Sequence, residues 1–233
     1  DKCPHRLVPL SEGRVLDTGE IECPYHGWTF KGDTGECTSV PHADSSDTIS
    51  KERSCGVSLP VTVKAGMVFV WPDPLYNPPS FGEAYPKPDE SLVQMPEGVG
   101  EPGAIFDTAH RDLPYDYSYL LENVLDVSHV TYTHHGTQGN RGATKPMHFK
   151  QSEPLTLSGY TLESTTKDGE LTGRTSVFRA PGYLHHKIKL GGFQLWVVAY
   201  CVPIRPGRSR ILALFPLVGA SDKIKFLAGL RPR

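Results

Sequence analysis

The sequence predicts a small all-β module followed by a larger α+β domain, in which one helix packs against a curved antiparallel sheet. Three observations lead there. Residues 1–71 are rich in Gly, Thr and Val and alternate short apolar stretches with Asp-Gly-type turn signals. A proline-dense stretch then interrupts the chain, with Pro72, Pro74, Pro78, Pro79, Pro86, Pro88, Pro96 and Pro102 forbidding regular helix and removing ladder donors. Beyond it, one segment of helical spacing is followed by apolar runs paired around Asp168-Gly169 and Gly191-Gly192.

Taken in order, residues 59–63 and 67–71 read as two strands joined at Lys64-Ala65-Gly66. Residues 72–102 form a connector, extended and packed over a surface. The second domain spans 103–233. Its helix covers residues 116–130, where Tyr119, Leu120, Asn123, Val124, Val127 and Val130 recur at helical spacing, with Gly136 as a stop just beyond. Residues 155–166 and 170–178 flank the Asp168-Gly169 turn, and 183–190 and 193–202 flank Gly191-Gly192. Residues 210–217 add another strand.

Composition narrows the function. The chain has 233 residues, 38% hydrophobic and 21% charged, as in an ordinary globular protein. A formal net charge of −2 excludes the broadly basic surface of a general nucleic-acid binder. No apolar run approaches the roughly eighteen residues that span a bilayer. The five cysteines, an odd number at irregular spacing, do not form a secreted disulfide framework. Two have a use as metal ligands, and Cys37, Cys55 and Cys201 read as reduced thiols. The chain opens on Asp1 rather than Met, reaches a candidate ligand at position 3 and stops at Leu230-Arg231-Pro232-Arg233. It is therefore expected to be a fragment, with any targeting or membrane segment outside it.

Cys3-Pro4-His5 is followed by Cys23-Pro24-Tyr25-His26-Gly27-Trp28. Each loop supplies one thiolate and one imidazole, the set that a Rieske-type [2Fe–2S] cluster takes, with two histidines replacing two cysteines on one iron. A Cys2His2 zinc site uses the same ligand types, but zinc fingers pair Cys with Cys and His with His. A second constellation runs from Glu122 to His134. A non-haem Fe(II) that activates O₂ takes two histidines and a carboxylate on one face, leaving the other open. Asn123, Asp126 and His129 recur every three residues and fall near one helical face. His134 follows five residues later, so the helix must end or distort near Val130 for both imidazoles to reach one metal. The alternative is that these histidines are ordinary helix-end residues.

These motifs resemble the Rieske non-haem iron oxygenases, and within them the group of pheophorbide a oxygenase, chlorophyllide a oxygenase and the translocon-associated Rieske proteins. The resemblance rests on Cys3-Pro4-His5-Arg6-Leu7, Leu10-Ser11-Glu12-Gly13, Cys23 to Trp28, and the spacing Asn-x-x-Asp-x-x-His-x-x-x-x-His from Asn123 to His134. Gly136-Thr137-Gln138-Gly139-Asn140-Arg141 extends it, and Cys37 fits it with no clear role. Neither loop carries the extra cysteine that braces the cytochrome-complex Rieske proteins.

The resemblance implies that Cys3, His5, Cys23 and His26 hold the cluster and that His129 and His134 bind the mononuclear iron, with His134 preferred over His135. Asp126 becomes the acidic bridge that passes an electron from a Rieske histidine of a neighbouring subunit, which implies a homotrimer. Asn123 accompanies it. The third iron ligand would be a downstream carboxylate. Of Glu153, Glu163, Asp168, Glu170 and Asp222, none stands in a recognisable ligand context, so it is expected beyond Arg233. The implied reaction is O₂-dependent oxidation of a chlorophyll-derived tetrapyrrole, with reduced ferredoxin as donor, at a chloroplast thylakoid or envelope membrane or a cyanobacterial membrane. A Rieske oxygenase of another hydrophobic substrate and a non-enzymatic translocon-associated redox component are the alternatives. His185 and His186 read as structural or pocket residues. Tyr115, Tyr117, Tyr119, Phe193 and Trp196 are candidates for either pocket walls or core.

Overall fold

The computed structural model describes residues 1–44, 51–72, 83, 87, 89–99, 105–137 and 139–218. It divides into two compact units, Asp1–Val93 and Gln94–Arg233. Of the connector expected over 72–102, residues 73–82, 84–86, 88 and 100–102 lie outside the described residues.

The first unit is all-β apart from short helical turns. A four-stranded antiparallel sheet runs β1 (Arg14–Val15), β2 (Ile21–Glu22), β3 (Thr29–Phe30) and β4 (Cys37–Ser39) in spatial order. A helical turn α1 (Lys51–Ser54) leads to the hairpin of β5 (Val61–Lys64) and β6 (Met67–Val70). Its turn residues Ala65 and Gly66 both take positive φ, 51° and 75°, which two-residue hairpins need to match the strand twist. The small core gathers Cys3, Cys23 and Phe30, with Leu10, Trp28 and Cys37 packed around them. Gly35 is required where it stands, because a Cβ there would meet the Gly56 carbonyl oxygen at 2.0 Å.

The second unit is a seven-stranded antiparallel sheet. Its strands are β7 (Ile105–Leu113), β8 (His148–Gln151), β9 (Gly159–Thr165), β10 (Leu171–Arg179), β11 (Tyr183–Leu190), β12 (Phe193–Arg205) and β13 (Arg208–Val218). The spatial order is β7-β13-β12-β11-β10-β9-β8. Helix α2 (Tyr117–Leu125) lies on one face, where Phe178, Leu184, Ala199 and Ala213 are cross-strand partners in one row. Leu120 meets Leu184, Ala199 and Cys201 there, and Tyr117, Val124 and Leu125 close the same core. This is the expected helix on an antiparallel sheet. Asp116 caps the helix by accepting the Ser118 N–H.

Three local expectations change. The helix read over 116–130 ends at Leu125, because Asp126 turns extended, and a separate turn α3 (Val130–Thr133) follows. The strand read from residue 155 starts at Gly159, after a turn that leaves Leu155 and Leu157 in solvent. β7 and β8 were not expected. They are the two edges of the sheet, with one partner each, and their charged or mixed sequences carry no clean alternation. Among the described residues no helix is long and apolar enough to cross a membrane.

Leu184 is fully buried beneath the helix. Leu184→Ala should destabilise the second unit by about 2–5 kcal/mol, read as a lower urea midpoint with an unchanged m-value.

Candidate metal centres

The two cysteine loops share one backbone device. The Cys3 N–H donates to the Val8 carbonyl at 2.9 Å while the Leu7 N–H returns to the Cys3 carbonyl at 2.8 Å. In the second loop the Cys23 N–H donates to the Trp28 carbonyl at 2.8 Å and the Gly27 N–H to the Cys23 carbonyl at 3.1 Å. Each turn closes through a left-handed residue, Leu7 with φ 60° and Gly27 with φ 69°. Both thiols point inward, Cys3 at 2% and Cys23 at 3% exposure. Burial, with the adjacent Cys23 thiol, pushes the Cys3 thiol up from its ordinary value.

The imidazoles are less buried, His5 exposed and His26 intermediate. The His5 and His26 rings lie 4.7 Å apart, with Trp28 stacked on His5 at 4.6 Å and 3° and Tyr25 against His26 at 3.9 Å. Sulfur inside and nitrogen outside is a divided donor set, which suits a cluster whose two irons each take one pair. A single zinc ion would instead draw all four donors to one point. The residues fit the [2Fe–2S] group. Cys37 packs beside this core, and burial pushes its thiol up to about 11.

The second centre is built where α2 stops. The Asp126 carboxylate accepts the Ser128 N–H at 2.8 Å and the Ser128 hydroxyl at 2.5 Å, a local turn that competes with helix continuation. His129 Nδ1 then donates to the Asp126 carbonyl. A carbonyl can only accept, so this bond fixes the Nδ1–H tautomer and leaves the Nε2 lone pair of His129 free, as in metal-ligating histidines. The His129 carbonyl accepts from the Tyr132 and Thr133 N–H groups, starting α3. That one turn brings the His134 ring to 5.3 Å from the His129 ring. The break thus falls at Asp126, before Val130, and the three-residue recurrence of Asn123, Asp126 and His129 does not mark one helical face.

The remaining predicted residues separate clearly. Asn123 is exposed on the last turn of α2, and Asp126 is exposed beyond it. His135 Nδ1 accepts the Arg141 N–H at 3.2 Å, which leaves its Nε2 protonated and unsuited to a metal. Glu153 is engaged by Arg179 at 2.9 Å and by Thr161 at 2.8 Å, and Asp222 lies outside the described residues. Among the described residues no three His, Cys, Asp or Glu side chains form a single-ion cage. The two histidines fit a mononuclear iron as part of a ligand set that a further carboxylate would complete.

A cleft of about 360 Å³ shares Asp126 and Ser128 with the turn that ends α2; Leu125 and Val127 complete that side, Met147, Phe149, Tyr160, Leu162 and Ser176 form the other, and neither His129 nor His134 lines it. Its aromatic walls are Phe149 and Tyr160, not the residues the sequence suggested. Tyr117 belongs to the core under α2, and Trp196 is buried against His185 and Lys187. No local pattern marked these walls, because they come from strands β8, β9 and β10 brought together by pairing. His186 holds the end of α2, its Nε2 donating to the Val124 carbonyl at 3.1 Å. His185 faces Tyr183, whose hydroxyl lies 2.8 Å from Nδ1, and burial lowers its pKa to about 4.

Comparison with known proteins matches a family model to a region of each unit. A family model for the Rieske [2Fe–2S] domain matches residues 1–61, and one for the vanillate O-demethylase oxygenase C-terminal domain matches residues 115–171. Chloroplastic pheophorbide a oxygenase of Arabidopsis thaliana is 36% identical over 232 residues, covering 90% of this chain and 39% of that protein. Protochlorophyllide-dependent translocon component 52 of the same plant is 29% identical over 93% of this chain and 45% of its own length. The chain thus spans roughly two-fifths of the curated relatives it matches. Among solved structures, Pseudomonas putida CBB5 NdmA superposes with a TM-score of 0.68 at 16% identity, covering 97% of this chain and 63% of that one. That likeness shows the fold.

The bonds from Ser128 hold the Asp126 carboxyl below its usual range. Its contribution to stability is therefore present above the unfolded carboxylate pKa and is lost as pH falls through the lower folded value. Ser128→Ala should move the Asp126 pKa up toward the ordinary value and shrink that acid-side loss, read by carboxyl-carbon NMR titration.

Proposed function

We propose, for a chain that belongs to the Rieske non-haem iron oxygenases, O₂-dependent oxidation of a chlorophyll-derived tetrapyrrole of the pheophorbide a or chlorophyllide a type. The reading extends to a chloroplast location, reduced ferredoxin as electron donor, a homotrimeric assembly and membrane association through segments outside residues 1–233. One observation carries it. The paired His129 and His134 rings, with His129 fixed in its Nδ1–H tautomer by the Asp126 carbonyl, share Asp126 with a cleft walled by Leu125, Val127, Met147, Phe149 and Leu162. An apolar substrate can be held there, one residue of its wall, Asp126, being the one that orients the His129 ring.

When bound, the [2Fe–2S] cluster supplies electrons singly and the mononuclear iron supplies O₂ activation. The chain's own residues do the rest. Cys3 and Cys23 keep their sulfurs out of water, while His5 is exposed and His26 half-buried. Asp126 joins surface to centre: its carboxylate is exposed and its carbonyl holds the His129 ring. Asn123 belongs to the same electron-entry surface. The cleft admits one edge of a macrocycle, and its apolar lining excludes water from that edge.

A second reading, a translocon-associated redox component without oxygenase chemistry, draws on the likeness to translocon component 52. Iron quantitation and EPR on the full-length protein separate the two. The oxygenase reading expects a Rieske signal, a third iron per chain, and O₂ uptake with reduced ferredoxin and pheophorbide a that Asp126→Asn, which keeps an acceptor for Ser128 but removes the charge, abolishes without loss of iron. A Rieske signal with only two irons per chain and no O₂ uptake would move the protein to the redox-component class.

A further inference from the structure

Ser176 stands in the middle of β10, opposite His186 on β11 and opposite Leu162 on β9. Its side chain lines the cleft, and its Oγ lies 2.8 Å from His186 Nδ1. The other nitrogen of that ring settles the direction of this bond. His186 Nε2 faces the Val124 carbonyl at 3.1 Å, and a carbonyl cannot donate, so Nε2 carries the hydrogen. Burial keeps the imidazole neutral by lowering its pKa. Nδ1 is therefore a bare lone pair, and the Ser176 hydroxyl must spend its only hydrogen on it.

The hydroxyl oxygen then turns two lone pairs and no hydrogen toward the cleft. Ser128 behaves alike on the opposite wall, since its hydroxyl donates to Asp126 Oδ1 at 2.5 Å. The other lining side chains are Leu125, Val127, Met147, Phe149 and Leu162, which are apolar, with Asp126 and Tyr160. The cleft is largely apolar, with a carboxylate and a phenol at Asp126 and Tyr160, and its two serine hydroxyls can only accept.

We propose that Ser176, oriented by His186, is a specificity-determining residue that selects apolar ligands carrying a hydrogen-bond donor, an O–H or N–H, on the edge that enters this cleft. This rests on the cleft being the substrate site of the oxygenase reading, and it names the substrate edge. The selection comes from the cost of an unmet bond. A ligand with a donor satisfies Ser176, whereas one that covers the same oxygen with a methyl group or an acceptor strips it of water and returns nothing. The arrangement resists rearrangement, because rotating the Ser176 hydroxyl toward a ligand acceptor would orphan Nδ1 of a half-buried ring.

The test uses binding alone, on the full chain, anaerobically and without reductant. The probes are 1-naphthol and its O-methyl ether, 1-methoxynaphthalene, followed by calorimetry. The wild type should prefer 1-naphthol by about tenfold, the scale set by one buried unsatisfied acceptor. Ser176→Ala should bring the ratio to within about twofold, chiefly by weakening the naphthol. Should Ser176→Ala fail to fold, Ser176→Cys decides, because a thiol keeps the shape but is a weak acceptor; the preference should fall there as well. Equal affinities in the wild type, no binding of either probe, or a preference that survives removal of the hydroxyl would each overturn the proposal. None of these depends on iron or O₂ uptake, so a catalytically silent protein that keeps the preference would sink the oxygenase reading alone.

Discussion

The Asp126 carboxylate, by taking both the N–H and the hydroxyl of Ser128, sets the geometry of everything around the second centre. A helix that ran on through residue 130 would carry His129 and His134 to different sides. By ending α2 at Leu125 and restarting a single turn at Val130, the chain folds the two rings toward each other. The same break frees the Asp126 carbonyl, which then orients the His129 ring. One residue thus terminates a helix through its carboxylate, sets a tautomer through its carbonyl and lines a wall of the cleft.

The sheet supplies the counterpart. Seven antiparallel strands present one face to α2, and the rows that continue past its end become the floor of the cleft. His186 stitches the two together by holding the Val124 carbonyl at the end of the helix, so helix end and strand β10 share one hydrogen-bonded chain running from Val124 through His186 to Ser176. In the first unit the corresponding role falls to packing, with Phe30, Trp28 and Leu10 fixing loops too short to fix themselves.

Much of this was legible in the sequence. The hairpin strands of the sheet's centre announce themselves by β-rich runs around Asp168-Gly169 and Gly191-Gly192, and the cluster loops by residue type at fixed spacing. The edge strands β7 and β8 were not legible, because an edge strand is half solvated and its charged residues look like loop. The helix break was anticipated near Val130 but not at Asp126, since an Asp that caps and an Asp that is simply exposed on a helix read alike. The cleft was missed for a related reason. Its walls, Phe149, Tyr160 and Ser176, come from three strands brought together by pairing, and no local pattern links them.

The two cysteine loops close the same ring of backbone bonds, from the cysteine N–H to a carbonyl five residues on. Within that common frame the histidine occupies the second place after the cysteine in one loop and the third in the other. The backbone is thus close to a two-fold repeat while its side chains are not. His5 stands in solvent with an indole flat beneath it, and His26 is half covered by a phenol. The centre is therefore asymmetric, with His5 the more exposed of its two rings and His26 the more covered.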